Sequence, residues 1–180
     1  MKLTLMIDAA SLGAVACASG SANKPMPGAV AQLQSTIGST TSGTVNFMPS
    51  GGKIRVSGEV RGLKPNAEHG FHVHEKGDCS SGDGMSTGGH FNPDGKPHGN
   101  PAQHANHGAM AHHAGDFPSL KSDAAGVARF SFETSAIAVG SGSTDVVGKG
   151  LIVHTNPDDY TTQPTGNAGG RLACAVIARS

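Results

Sequence analysis

At 180 residues, the chain has room for one domain with a buried hydrophobic core. Charged residues make up only 14% of it, and 13 basic residues balance 13 acidic ones, so no nucleic-acid-binding surface is expected. The 27 glycines and the absence of tryptophan favour short strands joined by turns over long helices.

The first 17 residues are predicted to be an export signal. Lys2 provides a positive start, and residues 3–16 are mostly apolar, although Asp8 interrupts them. This run is too short to cross a membrane as a mature helix, which favours cleavage. The last four residues of the predicted signal, Ala-Val-Ala-Cys at 14–17, resemble a bacterial lipobox, in which Cys17 carries a lipid that attaches the protein to a membrane. Lipoprotein and plain secretion both remain open.

The region after the signal divides into a tether and a folded part. Residues 18–28 are small, polar and proline-bearing, which is typical of a flexible tether. Residues 29–180 form the predicted domain. Either form of export would place the mature protein in the periplasm or cell envelope of a bacterium.

Apolar residues beyond the tether recur with a period of two, which predicts β-strands. The clearest case is 53–60, where Ile54 and Val56 alternate with polar residues, and Ala128, Phe130 and Phe132 follow the same rule. Further strands are predicted at 30–35, 44–48, 69–74, 150–155 and 172–178. Seven or eight short strands without helical periodicity predict an antiparallel sandwich or barrel.

The segment Gly-Phe-His-Val-His at 70–74 is the first chemically distinctive motif. Side chains alternate along a strand, so His72 and His74 share one face and can reach one metal ion. Phe71 and Val73 then point to the opposite face and can join a core. His69 falls on the same side as Phe71, which predicts a buried, hydrogen-bonded histidine. Taken alone, a histidine pair of this spacing is more often solvated than metal-binding.

More histidine motifs follow, mostly in two long stretches, 75–120 and 156–170, that lack a strand pattern. They are Gly-Gly-His90-Phe-Asn-Pro, Lys-Pro-His98-Gly, His113-Ala-Gly-Asp116, Ile-Val-His154 and Gly-Asn-Ala-Gly-Gly-Arg171-Leu-Ala-Cys174. A series of imidazoles with one carboxylate, ending in an arginine, suits a two-metal site with an anionic substrate. Together with 70–74, these segments resemble the copper–zinc superoxide dismutases across residues 29–180.

The resemblance implies an eight-stranded Greek-key β-barrel, in agreement with the strand count. It also implies two metal sites: copper at His72, His74, His90 and His154, and zinc at His90, His98, His113 and Asp116. His90 would be deprotonated and would bridge both ions. Four imidazoles suit Cu(II), which can cycle one electron. Three histidines and a carboxylate leave zinc no open position, so the zinc is expected to be structural.

The same resemblance assigns four further residues. Asp158 would link the copper ligand His72 to the zinc ligand His98 and fix both rings, with a plain turn residue as the alternative. Cys79 and Cys174 would form a disulfide that ties the long loop to the last strand. Arg171, charged at any physiological pH, would attract and orient superoxide beside copper; a solvated strand end is the alternative.

One zinc ligand remains open. Between His98 and His113 the chain carries His104, His107 and His112 among small residues, and this gap is longer than is common in the family. His104 is therefore an alternative to His98, although the Lys-Pro-His-Gly setting and the distance from His90 favour His98. The extra histidines suit either a solvated insert or a surface that captures metal.

The implied reaction is dismutation of superoxide, a small anionic substrate, to oxygen and hydrogen peroxide. Copper would oxidise one superoxide and reduce a second, while the His90 bridge breaks from copper and carries one of two protons. One alternative is a non-enzymatic copper-binding or copper-delivery protein on the same fold, which would be expected to lack the zinc ligands or the arginine. Another is an envelope protein that binds metal loosely. No motif decides between a monomer and a homodimer.

Overall fold

The computed structural model describes residues 28–102 and 111–180. The export signal with Cys17, the tether before Gly28, and the extra histidines His104 and His107 lie outside the described residues. In the described part, the regular structure consists of β-strands and one 3₁₀ turn, Met85–Thr87. No helix in these two ranges is long and apolar enough to span a membrane.

The strands confirm the all-β prediction, and their bounds lie within two residues of most predicted ends. They are β1 (Ala29–Ser35), β2 (Ser42–Ser50), β3 (Lys53–Arg61), β4 (Glu68–His69), β5 (Phe71–His74), β6 (Leu120–Lys121), β7 (Ala128–Thr134), β8 (Gly150–His154), β9 (Arg171–Val176) and β10 (Ala178–Arg179).

The strands form one curled antiparallel sheet that closes into a barrel. Its order is β5-β8-β9-β1-β2-β3-β7, and β10 also pairs with β1. The short pair β4-β6 bridges the two edges, because β4 directly precedes β5 and β6 contacts β7. Closure leaves fewer unpaired backbone groups at the edges. The eight strands of the main sheet and their order agree with the predicted Greek-key barrel.

The barrel interior holds the apolar side of each strand. Phe71 and Val73 are fully buried in it, as the alternation along β5 predicts. The Phe71 ring lies 5.5 Å from that of Phe117 and 5.3 Å from that of Phe130, which are favourable tilted and edge-to-face contacts. The core thus holds β5 rigidly, with its histidines on the other face beneath the two long loops.

The predicted strand 69–74 differs from the structure, since it is split at Gly70 into β4 and β5. The Gly70 N–H donates to the Asn156 carbonyl (2.8 Å), and its own carbonyl accepts from the His154 N–H (2.9 Å). A Cβ at Gly70 would lie 2.7 Å from that of Ala168, so the loop can approach only a glycine. Pairing with the segment after β8 therefore overrides the local strand pattern.

Candidate metal centre and substrate site

Two neighbouring strands supply three of the buried histidines. β5 pairs with β8 so that His72 lies opposite Ile152 and His74 opposite Gly150. His154 ends β8 two residues after Ile152 and therefore lies on the same face of the sheet as His72. The pairing of β8 with β9 shifts register between Val153 and His154, where β9 carries the extra residue Leu172. On its other side, His154 pairs with Arg171 at the start of β9. The sheet alone therefore places three histidines and the arginine together.

The long loop after β5 returns to the same strand and adds further side chains. Isolated backbone bridges join His74 to His90 and His72 to Asp116. Hydrogen bonds between Phe91 and Val73 (2.8 Å) and between Val73 and Gly115 (2.9 Å) hold the loop in place. The loop thus continues the sheet at the β5 edge, although neither bridge belongs to a regular strand.

The predicted copper ligands form one cluster. His72, His74, His90 and His154 are all buried and each offers a nitrogen within 4.8 Å of the others. Three of the rings use their second nitrogen to donate a hydrogen bond: His72 to Asp158 (2.7 Å), His74 to the Gly88 carbonyl (2.9 Å) and His154 to the Gly169 carbonyl (3.3 Å). These bonds fix which nitrogen faces the cluster.

The predicted zinc ligands form the second cluster, and its donor spacing matches a tetrahedral ion. Asp116 Oδ1 lies 2.9, 3.1 and 3.3 Å from the Nδ1 atoms of His90, His98 and His113. The Nδ1 atoms of His90 and His113 are 3.4 Å apart. Tetrahedral zinc with bonds of about 2.0 Å places its ligand atoms about 3.3 Å from one another. His90 belongs to both clusters.

The inward-facing nitrogens supply a test of whether metal ions fit. Six buried ring nitrogens have no hydrogen-bond partner within the described parts of the chain: His69 Nε2, His72 Nδ1, His74 Nε2, His90 Nε2, His98 Nδ1 and His154 Nε2. Buried polar atoms are nearly always satisfied, and leaving one unpaired costs about 1–3 kcal/mol. All but His69 Nε2 belong to the two clusters, so the residues present fit one nitrogen-bound and one tetrahedral metal ion.

Two carboxylates hold the ligand rings from outside. Asp116 Oδ2 accepts the backbone N–H groups of His113 (2.9 Å) and Gly99 (3.2 Å), which leaves Oδ1 for a metal ion. Asp158 accepts from Nε2 of His72 through Oδ2 (2.7 Å) and from Nε2 of His98 through Oδ1 (2.9 Å). Asp158 is buried, so it is not a solvated turn residue, and it connects the two clusters as predicted.

Charge in the clusters follows from burial and these hydrogen bonds. Burial lowers the pKa of His74 and His154 well below the usual value and that of His90 to about 4. Burial alone would also lower the pKa of His98, but the buried carboxylates of Asp116 and Asp158 beside its ring outweigh burial and raise that pKa to about 9. Neutral imidazole is the metal-binding form, so zinc must displace a proton at His98 near pH 7.

The Arg171 guanidinium is half-buried and held by the turn around Met85–Thr87. Its Nη1 donates to the Gly84 carbonyl (2.6 Å) and to Thr87 Oγ1 (2.5 Å), and its Nη2 to the Gly88 carbonyl (2.8 Å). The same Gly88 carbonyl accepts from His74. Burial lowers the Arg171 pKa, against the effect of Asp83, yet a guanidinium stays charged at neutral pH. Arg171 is thus a fixed cation rather than a solvated strand end.

Two further predictions can be compared with the structure. The disulfide is confirmed: Cys79 and Cys174, 95 positions apart in sequence, are bonded and anchor the long loop to β9 beside Arg171. His69 is buried at 1% exposure, and its Nδ1 lies 2.8 Å from the His154 carbonyl, so it supports the end of β8.

The structure places His98 in the zinc cluster, whereas His112 belongs to neither cluster. His104, the alternative ligand, lies outside the described residues, so the choice of His98 rests on its geometry.

Sequence reasoning missed the main-chain groups that orient Arg171 and the copper ligand His74. The carbonyls of Gly84 and Gly88 hold Arg171, and no motif could identify them, because every residue has a carbonyl. Gly166 was also missed. It has φ +66° and packs directly against the hydrogen bond between Asp158 and His98. Its glycine-rich setting, Thr-Gly-Asn-Ala-Gly-Gly, was the available signal.

Gly166→Ala is expected to displace Asp158, because an added Cβ would overlap its carboxylate and lie 2.5 Å from His98 Nε2. The left-handed backbone adds a further cost of about 1–2 kcal/mol. We expect a lower melting temperature and zinc loss on dialysis, measured by calorimetry and metal analysis. Gly142→Ala is the matched control, since Gly142 has φ +90° and open space around it. Equal behaviour of the two variants would contradict the requirement for glycine at position 166.

The barrel with its two adjoining clusters defines a class of β-barrel metalloproteins, and comparison with known proteins specifies the family. Residues 41–177 match the copper/zinc superoxide dismutase family. "Superoxide dismutase [Cu-Zn]" of Paramecium bursaria Chlorella virus 1 is 40% identical over 141 residues, 75% of this chain and 71% of the viral protein. "Superoxide dismutase [Cu-Zn] 2" of Brassica juncea is 44% identical over 155 residues, 82% and 95% of the two chains.

Comparison with solved structures leads to the same family. The crystal structure of the clock protein EA4 superposes with a TM-score of 0.74 at 39% identity, covering 84% of this chain and 93% of that one. A double mutant of a SOD-like protein from Bacillus subtilis gives a TM-score of 0.71 at 32% identity, covering 83% and 96%. The chain belongs to the copper/zinc superoxide dismutase family, whose members use copper and zinc.

Proposed function

We propose that this protein dismutates superoxide to oxygen and hydrogen peroxide, with copper and zinc bound at the two clusters. The observation that carries this function is the position of His90, whose Nε2 faces the copper ligands while its Nδ1 faces the zinc ligands. His90 completes a set of four ligands on each side, so its imidazole suits a site that holds two metal ions next to each other. Loose binding of a single metal ion would not require such a shared ligand. Bound copper supplies the one-electron redox chemistry.

The chain's own residues bind and orient the substrate. Arg171 pairs with the copper ligand His154 across β8 and β9, so an anion attracted by its guanidinium arrives beside the copper ligands. A focused positive charge of this kind raises association rates roughly 10- to 1000-fold. Three hydrogen bonds fix the guanidinium, which prevents it from swinging into solvent. His90 Nε2 is the ring nitrogen suited to hold a proton when it is not bound to metal.

The zinc cluster has a supporting role in this proposal. Three imidazoles and one carboxylate complete a tetrahedron, so no position remains for substrate. The two carboxylate oxygens of Asp158 accept hydrogen bonds from His98 and His72, so the positions of these two rings are linked. Zinc is therefore expected to hold the ligand rings in place and to leave electron transfer to copper.

Metal analysis combined with a superoxide-consumption assay tests the function. Purified protein is expected to hold one copper and one zinc per chain and to consume superoxide catalytically. A copper chelator should abolish turnover, whereas removal of zinc alone should mainly lower stability. A copper-loaded protein without turnover would instead favour copper binding or delivery on the same fold. Loss of turnover on zinc removal, with the copper spectrum unchanged, would contradict the structural role of zinc.

The same proposal extends to location: an exported protein of bacterial type, in the periplasm or cell envelope. The apolar run at 3–16 and the lipobox-like segment ending at Cys17 support it. The bond between Cys79 and Cys174 also favours an oxidising compartment. Mass spectrometry of the envelope fraction is expected to find a mature chain that starts at Cys17 and carries lipid. A soluble chain cleaved elsewhere would reject the membrane anchor, and an uncleaved cytoplasmic chain would reject export.

A further inference from the structure

His98 is held by the loop 158–166 at two separate points. Asp158, at the start of the loop, binds the Nε2 of the His98 ring. Gln163, five residues later, binds the His98 backbone. Gly166 closes the loop against Asp158, and its N–H donates to the Thr162 carbonyl (2.7 Å). The ring and the main chain of one predicted zinc ligand are therefore both fixed by a single short segment.

The Gln163 amide forms a pair of hydrogen bonds like that between two strands. Its Oε1 accepts from the His98 N–H at 2.9 Å, and its Nε2 donates to the His98 carbonyl at 2.9 Å. The two residues are 65 positions apart in sequence. A planar carboxamide can satisfy both groups at once because it carries a donor and an acceptor side by side.

These bonds matter because they are the main-chain hydrogen bonds of His98 itself. It lies outside regular strands, between Pro97 and Gly99. Within residues 28–102 and 111–180, its backbone N–H and carbonyl have no hydrogen-bond partner besides Gln163. Zinc ligands depend on such outer contacts for their orientation, and loss of one typically costs about 10- to 100-fold in metal affinity.

We infer that Gln163 is a positioning residue for the zinc ligand His98, which it locks to the loop that carries Asp158. This inference rests on the zinc site of the proposed function. Gln163 does not touch metal or substrate: it sets the place of the His98 backbone, while Asp158 sets the ring. The side chain is exposed, so its truncation does not disturb the hydrophobic core.

The test compares Gln163→Ala, Gln163→Glu and the control Gln34→Ala, which removes an exposed glutamine from β1. Zinc release is followed with a chromophoric chelator, and Co²⁺ bound in place of zinc reports ligand geometry through its visible spectrum. Gln163→Ala is expected to release zinc roughly 10-fold faster and to change the cobalt bands. Gln163→Glu should also speed zinc release, because a carboxylate accepts from the N–H but its second oxygen would face the His98 carbonyl without a proton to donate. Gln34→Ala should match the wild type.

The outcomes separate this role from general stability and from the proposed function. A lower melting temperature in Gln163→Ala with unchanged zinc release and cobalt spectrum would overturn the inference, as would equal behaviour of all variants. Gln163→Glu has nearly the same shape as the native side chain and gives an answer even if the alanine variant folds poorly. Wild-type protein that takes up neither zinc nor cobalt would reject the metal site itself.

Discussion

Arg171→Glu is expected to lower kcat/KM for superoxide by roughly 100-fold, within the range that electrostatic steering provides. The carboxylate reverses the charge beside His154, so it repels the anion at the point where Arg171 attracts it. Copper content should not change, because Arg171 belongs to neither ligand cluster. Stopped-flow measurement of superoxide decay, with metal analysis of the same samples, checks this result.

Arg171→Lys separates the charge from its placement. A lysine retains the positive charge, but its single ammonium cannot reproduce the three hydrogen bonds with Gly84, Thr87 and Gly88. We therefore expect an intermediate rate: long-range attraction persists, while the cation is no longer held in one position. A lysine variant as slow as the glutamate variant would show that placement, rather than charge, sets the rate.

Salt dependence provides the control for steering. Raising ionic strength shortens the Debye length from about 10 Å at 0.1 M to about 3 Å at 1 M. The wild type and the lysine variant should slow, whereas the glutamate variant should lose this inhibition. Arg55→Glu makes the same change in net charge on β3, at an exposed position paired with Glu133, and should retain most activity. Equal rates and equal salt dependence in all four proteins would remove Arg171 from substrate attraction.

His90→Ala is expected to remove dismutation almost entirely and to weaken both metal sites together. Its two ring nitrogens face different clusters, so one substitution takes a donor from each set of four. The loss should exceed the 10- to 100-fold typical of a supporting residue, because a ligand itself is removed. Copper and zinc content, the copper spectrum and turnover should all change in the same variant.

His107→Ala is the control for that experiment, since no predicted ligand set includes it. It should retain wild-type metal content and turnover. If His90→Ala kept one copper and one zinc per chain at the activity of the control, the bridging assignment would be wrong. Loss of one metal alone would show that His90 serves only that cluster.

Strand positions and the identities of the ligands were predictable from local pattern and motif. Alternation along 70–74 put Phe71 and Val73 in the core and the two histidines on the other face, because strand side chains alternate strictly. The ordered histidine motifs specified both ligand sets by resemblance to the family, and the structure brings those residues into two clusters. The bond between Cys79 and Cys174 followed from the same resemblance.

The contacts that hold these residues in place depend on tertiary structure. Strand 69–74 breaks at Gly70 because a loop 86 residues further on pairs with it, and local periodicity carries no trace of that partner. Arg171 is fixed by the carbonyls of Gly84 and Gly88, and His98 by the Gln163 amide. Carbonyls occur at every residue and exposed glutamines are common, so neither leaves a motif. The sequence specifies which side chains can bind a metal ion or attract an anion. The groups that orient those side chains come from distant parts of the chain, so only the tertiary structure decides which they are.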